Sequence, residues 1–324
     1  MIICTSMTQE KNQRQIVKLI KEICAEDGYE YRAYSDDWAI MISKDDIDMY
    51  VYGYKFPNNS GSVEKICNDK ALVSDILGEY NIPRVVHHFF IKNTTLNILG
   101  INESWDKVES IFNDSHCDVV IKPNDGTCGV GVKRINDYEV LKESVTKLFE
   151  HNYTIAIAPY EDILNEYRVI LLDMQPMLIF RKIRPFVFGN GVDNLMKLVV
   201  NKYGEDFTGF DKNIDYTIVP KANEKINLLW KHNLCGGASP EVVVDEIIKA
   251  RLMEVATATA KVLKAHFVSV DIVDTMEGLK VLEINSGVCM ENFSLSSNSN
   301  YKKAKEIYRK AIESYFTKKR LQKQ

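Results

Sequence analysis

Residues 121–132 read IKPNDGTCGVGV. Three glycines, Gly126, Gly129 and Gly131, fall within six positions, spaced by small residues and preceded by Lys122. A turn needs one or two glycines; a denser set lets the backbone bend closely over something large and anionic. Two familiar phosphate loops fail on counting. A P-loop needs lysine directly after its second glycine, and Val132 stands there. A dinucleotide fingerprint needs G-x-G-x-x-G opening a helix, whereas the order here is G-x-x-G-x-G and the following VKRI is strand-like. What survives is a flexible hairpin between two strands, able to lay its N–H groups over a polyphosphate as a lid, with Thr127 adding a hydroxyl donor. The competing reading is a plain surface hairpin. Cys128 reads as a small filler of this loop rather than a nucleophile.

Working outward, the loop is followed by a helix over about 138–150 and a strand, TIAIAPY. Upstream, DKALVSDILGEY forms a helix with Asp69 as N-cap, and IPRVVHHFFI is an extended segment. The first sixty residues alternate short strands (MIICTS, WAIMIS, MYVYGY) with an amphipathic helix from about Gln9 to Glu26. Downstream, residues 166–183 resemble a hairpin, a long helix covers about 241–264, a strand pair fills 267–285, and a terminal helix covers about 301–318. The pattern is α+β with three lobes. It divides into an N-terminal α/β domain over 1–85, a central lid subdomain carrying the glycine loop over 86–158, and a C-terminal subdomain with metal and substrate site over 159–324.

A metal site follows from strand geometry alone. VSVDIVDTMEGLKVLEIN is two strands joined around Met276-Glu277-Gly278. Counting outward from a turn centred on Glu277 sets Asp271 opposite Glu283, and alternation puts Asn285 on the face of Glu283. Two carboxylates facing each other repel, unless a hard divalent cation that favours oxygen ligands sits between them. Asp271, Glu283 and Asn285 are therefore the candidate magnesium ligands; a register slip by one residue would put the two acids on opposite faces and leave them as solvated edge acids.

The run hydrophobic–Lys–Pro–x–x–Gly–x–x–Gly–x–Gly–Val resembles the glycine-rich loop of the ATP-grasp superfamily of carboxylate–amine ligases, and the resemblance extends with gaps over about 65–295. It implies an ATP-grasp fold in which ATP is held between two sheet-containing subdomains. Lys70 and Lys122 would meet the phosphates, beneath Gly126, Thr127, Gly129 and Gly131. Pro159, Tyr160 and Glu161 would form the adenine hinge, the Pro159 carbonyl and the Glu161 N–H reading the ring; Glu166 or Asp162 would hold the ribose. The family's metal residues coincide with Asp271, Glu283 and Asn285, implying Mg2+, as two ions, with Mn2+ able to substitute.

FRKIRPFVFGNGVDNLMKLV and KHNLCGGASPE resemble parts shared by cyanophycin synthetases and the glutathione-making ATP-grasp enzymes of bifunctional type. On that resemblance Arg184 faces the acyl phosphate or γ-phosphate, while Arg168 and Arg181 serve the substrate carboxylate. The chain departs from the pattern at Asn190, where an Asp is usual, in the short gap from Asn233 to Gly236, and at Lys231 and His232, where related peptide ligases often place an Arg. The implied activity is ADP-forming: a carboxylate of an amino acid or short peptide is activated as an acyl phosphate and coupled to an amine. Arg184 and the backbone of Asn285-Ser286-Gly287 are candidate oxyanion donors. The alternatives are an ATP-grasp small-molecule kinase and a non-catalytic nucleotide-binding homologue.

Composition narrows the partners. The 324 residues are 45% hydrophobic and 27% charged, with a net charge of −4, so no basic field argues for nucleic acid or an anionic membrane. Seven cysteines, an odd number without metal-site spacing, argue against a disulfide framework. No apolar run approaches a membrane span, and the amino terminus lacks a signal-type apolar stretch. The expectation is a cytoplasmic protein with small-molecule substrates, compatible with a homodimer.

Overall fold

The structure is a computed structural model and describes residues 13–92, 105–127, 129–205, 207, 211 and 214–324. The strand expected at MIICTS, the start of the helix expected from Gln9, and Cys128 lie outside the described residues.

The chain divides into two compact units. One joins Met1–Asn58 to Gly287–Gln324, so the terminal helix, placed by the sequence reading in the last domain, belongs with the amino terminus. Helix α1 (Gln15–Asp27) buries Ile16, Leu19, Ile20 and Ile23, one apolar stripe at helical spacing. Its N-cap, Arg14, has no acceptor to offer. Glu291 replaces it, accepting the N–H groups of Gln15 and Ile16 at 2.7 and 3.0 Å and placing negative charge at the positive helix end. Strands β1 (Glu30–Tyr34), β2 (Ala39–Lys44) and β3 (Ile47–Tyr52) make an antiparallel meander. The helices Glu291–Leu295 and Asn298–Lys323 complete the unit, where Phe56 and Tyr308 stack at 5.4 Å.

The other unit is Asn59–Ser286. It opens with α2 (Gly61–Asn68) and α3 (Lys70–Glu79), whose cap Asp69 accepts the Leu72 N–H. Next come β4 (His88–Ile91), α4 (Trp105–Asp114), β5 (Val119–Pro123), β6 (Lys133–Ile135), α5 (Tyr138–His151) and β7 (Thr154–Pro159). These strands form an antiparallel sheet in the order β4-β7-β5-β6, with α4 and α5 supplying the apolar partners of Val119, Ile121, Ile155 and Ile157. The chain continues through β8 (Asn165–Leu172), β9 (Gln175–Ile183), β10 (Phe186–Phe188), α6 (Leu195–Tyr203), β11 (Lys225–Asn227), β12 (Ser239–Val242), α7 (Glu246–Val262), β13 (Phe267–Thr275) and β14 (Gly278–Asn285). The second sheet runs β12-β9-β8-β13-β14 and is antiparallel throughout. β10 and β11 pair separately against α6. Helix α7 begins later than the periodicity predicts because Ser239–Val242 is drawn into pairing with β9. Among the described residues no helix is long and apolar enough to cross a membrane.

One face of the five-stranded sheet is closed by helices. Val169, Val270, Ile272 and Ile284 join Leu252, Ala256 and Ala260 of α7 and Val73 and Leu77 of α3 in a single cluster. The alternate residues of the same strands therefore point to the opposite face.

Candidate active site

That opposite face carries charge. Along β8 it receives Glu166 and Arg168, along β9 Lys182, along β13 Asp271, and along β14 Glu283. Asp271 does pair with Glu283, but by a different route from simple counting. The turn is Met276-Glu277, with Thr275 opposite Gly278, so a regular ladder would bring Leu282 to Asp271 and turn Glu283 into the apolar core. A bulge at Asp271/Ile272 absorbs Leu282, which packs near Val85 and Val273 instead. Val281 and Ile284 can then both enter the core while Glu283 emerges opposite Asp271.

Asp271 is 1% exposed, and both oxygens of its carboxylate take part in ion pairs. Arg168 donates from Nε to Oδ1 and from Nη2 to Oδ2, both at 2.7 Å, and the Lys182 ammonium lies 2.9 Å from Oδ2. Burial pushes the Asp271 carboxyl up, but Arg168 and Lys182 outweigh it and hold the group below the usual carboxylate range. Burial works against the Arg168 charge, and Asp271 overrides it and raises that group. Lys182 also pairs with Glu166; there burial wins over the lysine and the carboxyl is raised. The two arginine donors expected to meet a substrate carboxylate from Arg168 are thus occupied by Asp271, and Glu166 is buried in this cluster while Asp162 stays exposed.

The edge toward Glu283 is more open. The Glu283 side chain is 27% exposed, accepts a 3.2 Å hydrogen bond from Asn285 Nδ2, and lies 4.0 Å from the Lys70 ammonium. Lys70 also donates to the carbonyls of Gly126 at 2.6 Å and Asn124 at 3.3 Å, tying the start of α3 to the glycine loop. Lys122, on β5, is 7% exposed and makes no hydrogen bond or ion pair among the described residues. Burial pushes its ammonium down to about 8, with Glu283 acting to raise it and Lys70 to lower it.

Among the described residues no three histidine, cysteine, aspartate or glutamate side chains gather to hold a metal by themselves. The two-acid, one-amide set does fit a hard cation. An ionised carboxylate has about four acceptor positions; Asp271 commits one on Oδ1 and two on Oδ2. One position on Oδ1 remains; Glu283 stands opposite Asp271 in the strand register, and the hydrogen bond from Asn285 Nδ2 to Glu283 leaves the Asn285 side-chain oxygen available.

The glycine loop explains its own composition. Gly129 and Gly131 take positive φ of 68° and 74°, and a Cβ on Gly131 would meet Pro123 at 3.0 Å. A Cβ on Gly129 would come within 2.9 Å of Asn233 Nδ2. Lys231 donates to the Val132 carbonyl at 2.8 Å and to the Gly129 carbonyl at 3.5 Å, so the loop is held from the 231–233 segment. Thr127 is exposed, and its carbonyl accepts the Val130 N–H.

In the segment expected to form the adenine hinge, Pro159 ends β7 and the Tyr160 N–H bonds the Asp118 carbonyl at 2.9 Å. Arg134 lies over the Tyr160 ring at 3.5 Å while it grips Asp118 with two nitrogens. The Glu161 carboxylate is bound to Lys280 at 2.7 and 2.9 Å, so its side chain serves β14. Arg181 is paired with Glu241. Arg184, just past β9, makes no ion pair or hydrogen bond among the described residues and lines a cavity of about 240 Å3 with Arg181, Lys225, Asn227, His232 and Glu241. Sequence reasoning missed Lys182, Lys225 and His232 as site residues. Only the KH pair at 231–232, out of place in the resemblance, hinted at one of them.

Among solved structures the chain is similar to a bifunctional glutathione synthetase from Pasteurella multocida, with a TM-score of 0.54 at 16% identity over 87% of this chain. It spans 41% of the length of that enzyme. A D-alanine–D-alanine ligase from Bacillus anthracis aligns with a TM-score of 0.53 at 18% identity, over 79% of this chain and 70% of the ligase. The fold is the ATP-grasp fold. A structure of the Bacillus anthracis ligase complexed with ATP aligns with a TM-score of 0.51 at 18% identity, over 79% of this chain and 68% of that one. At these identities the likeness is one of ATP-grasp architecture. No family model matches the sequence, and comparison with curated proteins gave no match.

Proposed function

We propose that this chain is an ATP-dependent, ADP-forming ligase that joins the carboxylate of an amino acid or short peptide to an amine. The observation that carries the reading is Lys122: a buried ammonium with no direct ion pair or hydrogen bond among the described residues, with Lys70 as a like-charged neighbour and Glu283 acting on it only through space. A buried charge left unpaired is costly, and a polyphosphate between the two sheets would relieve that cost. In this reading the three lobes are the smaller unit and the two sheets of the larger one.

Lys70 and Lys122 hold the phosphates, Lys70 exchanging its loop carbonyls for phosphate oxygens. Pro159 and Glu161 present backbone groups to adenine. Asp162 is the better ribose partner, because Glu166 is committed to Lys182. Asp271, Glu283 and Asn285 would hold magnesium, which neutralises charge on the phosphate oxygens when bound. Arg168 acts through Asp271 as a positioning residue.

The substrate carboxylate attacks the γ-phosphorus, the bond to the β–γ bridging oxygen breaks, and ADP leaves. Arg184 steadies the acyl phosphate formed. The amine then attacks the carbonyl carbon, the carbon–oxygen bond to phosphate breaks, and the amine loses a proton to give the amide. The acyl phosphate hydrolyses if wet, so the 126–131 loop serves as its cover.

The test is ADP release from Mg·ATP across a panel of amino acids and dipeptides with amine acceptors, with products read by mass. A new amide with ADP supports the ligase, and a stable phosphoester with ADP would make the chain a small-molecule kinase instead. A chain that does not bind nucleotide at all would overturn both.

A further inference from the structure

The cavity beside the end of β9 holds more positive charge than its own acids balance. Lys182 lines it, but its ammonium is spent on Asp271 and Glu166. Arg181 is answered by Glu241. Arg184 has no ion pair or hydrogen bond among the described residues, and Lys225 meets the Phe186 ring at 4.3 Å without an acid. Neither has an acid partner among the described residues, Arg184 half-buried and Lys225 exposed. The β10–β11 pairing explains why Lys225 and Asn227 face the same space. Phe186 pairs with Asn227 and Phe188 with Lys225, so Lys225 and Asn227 share a face while Ile226 turns into the small core with Val187 and Leu195. His232 lines the same cavity and carries a buried polar atom left unsatisfied. It is 5% exposed, and its Nδ1 has no hydrogen-bond partner, the nearest carboxylate oxygen of Glu166 lying 3.8 Å away.

We propose that this cavity binds a small substrate with two acidic groups, an amino- or hydroxy-dicarboxylic acid, with Arg184 on the carboxylate to be activated and Lys225 with Asn227 on the second. This rests on the ligase reading, whose donor substrate it specifies. The size agrees: pockets for drug-sized ligands run to roughly 300–1,000 Å3, so about 240 Å3 suits a metabolite rather than a polypeptide. His232 lies on the cavity wall available to the amino or hydroxyl group carried between the two acids. The second carboxylate stays unreacted and fixes which end of the molecule meets the γ-phosphate.

Titration calorimetry of the full chain, with and without a non-hydrolysable ATP analogue, should compare aspartate and glutamate with asparagine and glutamine. At least one acid should bind about tenfold more tightly than its amide. Lys225→Met should reduce that ratio to about twofold while the affinity for ATP is unchanged. Equal binding of acid and amide, an unmoved ratio in Lys225→Met, or no dicarboxylate binding by protein that does bind ATP would overturn the proposal. A dicarboxylate preference in a chain that ignores ATP would keep the cavity assignment and sink the ligase reading instead.

Discussion

On one face of the five-stranded sheet, Val169, Val270 and Ile272 are sealed under α7. One residue further along the same strands, Arg168 and Asp271 lie among fixed charges. The first face is stabilised by area removed from water, without direction or specificity. The second costs free energy to desolvate, and only its mutual pairing makes that tolerable. Strand alternation lets one sheet carry both, and the bulge at Leu282 keeps Glu283 from falling on the wrong side. Stability and chemistry should therefore be separable by one-residue steps.

The sharpest way to break this comparison is Asp271→Asn. It leaves Arg168 and Lys182 buried with a weakened partner, so unfolding stability should fall by about 3–5 kcal/mol, and turnover with it. Denaturant melts and ADP release would read both. Ile272→Ala, its neighbour on the apolar face, should lose about 2–5 kcal/mol through its cavity yet keep activity per folded molecule. If Ile272→Ala lost nucleotide affinity as well, the two faces would not be independent.

A smaller effect follows from the histidines kept neutral in the larger unit. Burial pushes His232 down to about 3 and His87 well below its ordinary value, with Lys122 adding to the latter and Arg184 to the former. Both folded values lie beneath the unfolded one of roughly 6.5, so the unfolded chain binds more protons as pH falls. Their contribution is complete above that value and is lost progressively as pH falls below it. Melting temperature should decline from pH 6.5 toward 4.5, and His87→Leu should flatten the slope. A melting temperature independent of pH over that span would contradict the burial of both rings.

The polar face was only partly legible in the sequence. Asp271 and Glu283 could be paired because the hairpin is local, although the half-residue error in the turn was made good by a bulge that no composition announces. The pairing of Glu166 with Lys182 was not legible, since a second register shift at Ile170/Leu171 intervenes and both residues read as ordinary strand charges. Lys225 was invisible because β11 is three residues long and gains its face only by pairing with β10. In the smaller unit, β1 escaped notice because EYRAY is mostly exposed and has no apolar alternation to detect. The helix over 70–79, by contrast, carries its start signal in Asp69 and was readable directly.

Calorimetry of Mg·ATP against the intact chain and Lys122→Met reads out what the buried ammonium does for nucleotide binding. One nucleotide per chain is expected, with an affinity reduced at least about tenfold when the ammonium is removed. Heat of equal size and affinity in both proteins, or none in the intact chain, would contradict it.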